Sequence, residues 1–120
     1  MAAPNIVNVA TITGKTTTFD LSATTTTSLV VNAAASDNVL KVNSIVVANV
    51  TTIAHTVTMA LDDSTNTRKF ANAISVPANS ALVLVDKNSG FYMEEGVTLE
   101  GGADAASKLT AYVAYEILTD

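Results

Sequence analysis

The stretch 39–50 constrains the fold most. It holds Leu40, Val42, Ile45, Val46, Val47 and Val50 and contains neither Gly nor Pro. β-Branched side chains lose χ1 freedom in a helix and pack well on a pleated surface. A helix over these residues is therefore the weaker reading. A strand this long and apolar is expected to be central and covered on both faces.

The rest of the chain follows the same chemistry. Thr and Val recur throughout, and long helix-favouring side chains are scarce. Residues 6–13 read as a first strand, with Ile6, Asn8, Ala10 and Ile12 on one face and Val7, Val9, Thr11 and Thr13 on the other. Gly14-Lys15 reads as a turn, and 16–21 as a strand turning Phe19 and Leu21 to one side. Further strands are predicted over 28–32, 56–61, 68–74, 80–85, 91–94, 97–100 and 109–118. Turns are predicted at Asp37-Asn38, 62–67, Val76-Pro77-Ala78-Asn79, 86–90 and Glu95-Gly96, and a Gly/Ala loop over 101–108. Roughly eight to ten short strands with regular turns indicate an all-β, two-sheet sandwich. A jelly roll is the preferred topology. An immunoglobulin-like sandwich ranks second, because its Cys–Trp–Cys signature is missing. Residues 1–8 are expected to form an N-terminal arm leading into the first strand, and 6–120 a single β-sandwich domain.

Composition narrows the chemistry. With no Cys, thiolate metal sites, disulfides and cysteine nucleophiles are excluded. A single His, His55, excludes a multi-histidine metal site. Six basic against eleven acidic residues give −5, which opposes binding to nucleic-acid phosphates. The N-terminus lacks the pattern of a signal peptide, and no apolar run reaches the ~20 residues of a membrane span. Synthesis in a reducing cytoplasm, with no membrane partner, is the expectation.

Each chemistry-bearing group has a plainer reading. His55 lies outside any recognisable triad context and reads as a surface or interface residue. Asp62-Asp63 lacks EF-hand spacing and reads as a solvated loop. Glu94-Glu95 cannot flank one glycosidic bond with Glu100, since neighbouring strand residues face opposite ways; exposed turn carboxylates are expected. Arg68-Lys69 is too small a track for phosphates and would suit an acidic partner surface. Gly101-Gly102 reads as a loosened turn. Tyr112 and Tyr115 stand three positions apart and should face opposite sides of their strand, which leaves Tyr92, Tyr112 and Tyr115 without a shared platform. The triplet Asn49-Val50-Thr51 reflects an Asn/Thr-rich chain rather than a sugar site. No catalytic, cofactor-binding or metal-binding residue is assigned, no cofactor is expected, and the chain is not expected to be an enzyme.

Only 14% of residues are charged, so the exterior must be built from Thr, Asn, Ser and Ala. Interface cores are similarly poor in charge, which suits a subunit of an assembly. Three stretches carry a resemblance. Lys41-Val42-Asn43-Ser44-Ile45 runs on to Asn49, Val76-Pro77-Ala78-Asn79-Ser80-Ala81-Leu82 follows, and Tyr92-Met93-Glu94-Glu95-Gly96 comes last. With their flanking residues they are spread over 40–99, half the length of the chain, and resemble small structural proteins of tailed bacteriophages, especially phages of cyanobacteria and other marine bacteria. The resemblance implies a virion structural protein, foremost a capsid decoration (cement) protein on the capsid surface. Its implied partners are the major capsid protein and further copies of itself in a homotrimer. The same resemblance admits a tail, neck or head-fibre subunit. A carbohydrate- or host-binding module and an enzyme are the competing classes. The arm 1–8 is expected to reach a neighbouring chain, and the loop 62–67 to touch capsid protein.

Overall fold

The computed structural model describes residues 11–119, which form nine strands and no helix. The strands are β1 (Thr11–Asp20), β2 (Ser28–Val31), β3 (Asn38–Asn49), β4 (His55–Asp62), β5 (Thr67–Val76), β6 (Ser80–Val85), β7 (Phe91–Met93), β8 (Thr98–Ala103) and β9 (Leu109–Thr119). They make two antiparallel sheets. The first runs β1-β9-β3-β6, with β7 also on β3, and the second runs β2-β8-β4-β5. The all-β, two-sheet sandwich expected from the strand pattern is what the chain adopts.

The apolar alternation explains the layering. Leu40, Val42, Ile45 and Val47 of β3, with Ala111, Val113 and Tyr115 of β9, turn inward from the first sheet. Val57 and Met59 of β4 and Leu99 of β8 meet them from the second. Among the described residues only β4 and β5 pair as a local hairpin, and every other ladder joins strands distant in sequence. β6 and β7 follow one another along the same edge of β3, against residues 45–49 and 40–42.

Two buried asparagines secure the ends of β3. Asn32 donates through Nδ2 to the carbonyls of Asn38 and Met93, each at 3.0 Å, and accepts from Ser36 Oγ at 2.6 Å. Asn49 donates to the carbonyls of Ile53 at 2.8 Å and Val76 at 3.0 Å, while its Oδ1 accepts from the amide and hydroxyl of Thr51. A buried amide is tolerable only when its donors and acceptor are satisfied, and here they are. Asn49 is thus sealed in the interior, in keeping with the rejected sugar site.

Several sequence expectations need correction. Gly14-Lys15 is no turn: β1 runs through it, paired with Glu116 and Tyr115, because the ladder to β9 outweighs a lone glycine signal. The strand expected over 6–13 is described only from Thr11 onward, and the arm 1–8 lies outside the described residues. β3 is central, but its outer row, Lys41, Ser44, Val46 and Ala48, is only half-buried, since no further layer covers it among the described residues. Gly101 and Gly102 belong to β8 rather than to a loop. A Cβ on Gly102 would lie 2.5 Å from the Thr24 carbonyl oxygen, and one on Gly101 2.5 Å from Met59 Sδ. The glycines permit close approach of the 22–27 segment and of the core. Glu95-Gly96 does turn, with Gly96 at φ +83°, but it joins β7 of one sheet to β8 of the other instead of closing a hairpin.

Candidate interaction surface

The outer face of the first sheet carries a row across four strands. Thr18 of β1 stands opposite Tyr112 of β9, Tyr112 opposite Val46 of β3, and Val46 opposite Val83 of β6. Tyr112 is 43% exposed and Val83 57%. The neighbouring rows are small and mostly neutral: Thr16, Ala114 and Ser44 on one side, and on the other Thr110, Ala48 and Ala81, with Asp20 at the β1 end of that row accepting from the Thr110 hydroxyl. Beyond Ser44 charge returns at Lys41, Lys87 and Glu116. A neutral, slightly apolar sheet face has the character of an interface core.

The tyrosines divide as the strand period requires. Tyr115 is buried in the core, and Tyr112 and Tyr92 are exposed. Phe70 of β5 and Phe91 of β7 meet edge-to-face at 5.8 Å, between the margins of the two sheets. No family of local sequence signals announces that contact, because it depends on which strands become edges.

The polar groups form separate small clusters. His55 Nδ1 lies 2.9 Å from Asp104 Oδ1, so the expected surface histidine is half-buried and has an acid partner 49 residues away. Among the described residues no hydroxyl hydrogen-bonds to it, so a nucleophile is missing from the pair. Asp63 caps its own loop, accepting from the amides of Thr65 at 3.0 Å and Asn66 at 2.7 Å. These amides, Asn66 first, and then Arg68 hold its carboxyl below the ordinary aspartate value. The solvated loop expected at 62–67 is observed, and Asp62 caps Ser64 at 2.9 Å. Among the described residues no group of three or more potential metal-ligating side chains assembles.

Glu94 is exposed, as expected of a turn carboxylate, but Glu95 is not. Its Oε2 accepts from the Asp37 amide at 3.1 Å and its Oε1 is buried without a partner. Glu100 is only 8% exposed on the outer side of β8. Burial, then the charge and hydrogen bond of Asp62, push its carboxyl above the ordinary glutamate value. Sequence reading missed this pair because Asp62 and Glu100 come together only through the β4–β8 register, in which Ala60 faces Glu100 and Asp62 faces Thr98.

No family model matches this chain, and no curated protein matches it. Among solved structures it is similar to two crystal structures of pentameric capsid proteins isolated from metagenomic phage sequences. One is 16% identical over 83% of this chain and 63% of that chain, with a TM-score of 0.41. The other is 17% identical over 95% of this chain and 62% of that chain, with a TM-score of 0.43. The chain therefore spans less than two thirds of the length of either. Likeness this distant carries no weight for topology or role.

Proposed function

We propose that this chain is a non-enzymatic structural subunit of a tailed-phage virion, and specifically a capsid decoration protein. In this reading it acts as a homotrimer on the capsid surface and binds the major capsid protein so as to bridge capsomers. The observation that carries the reading is the neutral outer face of the first sheet, centred on Tyr112, Val46 and Val83. A face of this kind gains free energy by burial without stripping water from ions. The three sequence stretches that resemble phage structural proteins support it further. They fall on β3, on the turn into β6 and on the β7–β8 connection, and the first two are joined by the hydrogen bond from Asn49 to the Val76 carbonyl.

The strand winding supports a jelly roll. The chain alternates between sheets through β1 to β4, makes one hairpin at β4–β5, and returns through β6 to β9 to the neighbours of its first strands. Bridging would be cumulative: each copy adds a modest apolar contact, and many copies together resist expansion of the shell.

Assembly of particles with and without the protein tests this. Particles lacking it should lose contents at a lower temperature, and adding purified protein back should restore resistance. Equal heat resistance in both preparations would overturn the cement role and turn attention to glycan binding.

A further inference from the structure

We propose that the free edge of β1 accepts residues 6–10 of a second copy of this chain as an added strand. This pairing presupposes the assembled subunit proposed above, and it names the surface through which copies join.

Four features of β1 point to it. It stands at the end of its sheet, and among the described residues it pairs only with β9. Its ladder runs through ten consecutive pairs, from Thr11 with Thr119 to Asp20 with Thr110, without a register shift. It has no Pro and a single Lys, Lys15, and Thr11 through Thr16 are all exposed. In an antiparallel ladder alternate residues point their N–H and C=O groups away from the partner, so about ten backbone groups face outward. Long, unbroken edges of this kind pair with other chains unless something blunts them.

The other edges are blunted. β5 shifts register twice against β4, carries Arg68 and Lys69, and has Ala73 at φ 51°. β6 shifts register against β3 between Ile45 and Val46. β2 is four residues long and shifts between Ser28 and Val30. Among the described edges β1 alone combines ten residues with an unshifted register, and its charges are Lys15 and, at its last position, Asp20.

Beside β1 the sandwich is open. A groove of about 330 Å³ separates it from β2, lined by Phe19, Leu29, Val31, Leu40, Tyr115 and Ile117 among others. Val31 remains 57% exposed there. An added strand would cover this groove with the side chains of one of its faces.

The occupant follows from the sequence. Residues 6–10, Ile-Val-Asn-Val-Ala, alternate so that Val7 and Val9 share a face, and no side chain before Lys15 is charged. That composition fits an apolar groove. Folding residues 6–10 back onto β1 of the same chain would need a tight turn at Ala10-Thr11. Two-residue hairpin turns need positive φ, met by Asn-Gly or Asp-Gly pairs and not by Ala before β-branched Thr, and Thr11 is already in the ladder opposite Thr119. Ten residues of extended chain before Thr11 reach about 33 Å, enough to arrive at a neighbour. Donation from copy to copy is head-to-tail, and such contacts form a ring where the rotation closes and an open filament where it does not.

The test uses the full chain, a variant lacking residues 1–8, and a V7K/V9K variant, each followed by light scattering and thermal melting. The full chain should be oligomeric, and both variants monomeric with their β-sheet signal and a cooperative melt retained. Because the chain has no Cys, two single-cysteine variants can be mixed. Val9→Cys chains mixed with Thr13→Cys or Thr17→Cys chains should form a disulfide-linked dimer absent from either variant alone. A full chain that is monomeric at every concentration overturns the proposal. So does an oligomer that survives loss of residues 1–8, which would indicate β1 pairing with β1 of a second copy instead. None of these readouts involves a capsid, so their failure is distinct from failure of the particle-stability experiment.

Discussion

The two long margins of the sandwich are built differently. At the β5–β6 margin the sheets come together. Phe70 and Phe91 stack edge-to-face across the gap, and Leu84 and Val85 line the space beside them. The bulged backbone of β5 is held by the Thr58 hydroxyl, which accepts from the Ala73 amide at 3.0 Å. At the β1–β2 margin β1 keeps an unshifted register, and Phe19 lines a groove of about 330 Å³. One margin is bridged by an aromatic pair with a groove of about 280 Å³ beside it, and the other has a groove of about 330 Å³ with no such bridge among the described residues. The same sandwich can thus terminate a sheet on one side and extend it on the other.

Paired truncations test the comparison most strongly. Phe91→Ala should destabilise the fold by about 2–3 kcal/mol, because it removes a ring packed on both the core and Phe70. Phe19→Ala should cost about 1 kcal/mol less in a monomeric background, since that ring is half-buried like Phe91 but has no aromatic partner among the described residues. Urea midpoints at unchanged slope would measure both, and equal losses would erase the distinction between the margins.

A smaller effect is expected on the open side, at Glu100. Its carboxyl titrates above the ordinary glutamate value in the folded chain. Below the ordinary range both states are protonated and nothing is lost. As pH rises toward the raised value, the unfolded chain ionises first and the fold loses stability. Glu100→Gln should therefore raise stability by about 1 kcal/mol at pH 7 and leave it unchanged in acid. Melting temperatures at the two pH values would show this, and a gain of the same size in acid would point to packing instead.

The smallest effect concerns the blunted edge. Ala73 sits at φ 51°, in the region that favours glycine. Ala73→Gly should stabilise by about 0.5 kcal/mol, the relief of strain outweighing the added freedom of the unfolded chain. Chemical denaturation would measure it, and a loss of stability would show that the bulge carries no strain.

Much of this architecture was legible from residues alone. The β6 strand, the hairpin loop at 62–67 and the opposed facing of Tyr112 and Tyr115 follow from period-2 alternation and local turn chemistry, which act over a few residues. The role of Asn49 was not legible, although it falls within one of the stretches that drew attention. Its meaning lies in the Val76 carbonyl, 27 positions away. Gly101-Gly102 misled for the same reason: a glycine pair signals a turn locally, while the contacts that require it come from Thr24 and Met59. His55 and Asp104, and likewise Asp62 and Glu100, meet only through strand register.

The sequence by itself determined that the chain is all-β, where most of its strands lie, and which faces are apolar. These properties arise from side-chain shape and alternation, which each segment carries with it. Tertiary structure decided which strands became edges, which edge shifted register and which did not, and which buried polar groups found partners. Those outcomes depend on pairings between distant segments, and the cost of closing such long loops is met only when the whole sandwich forms.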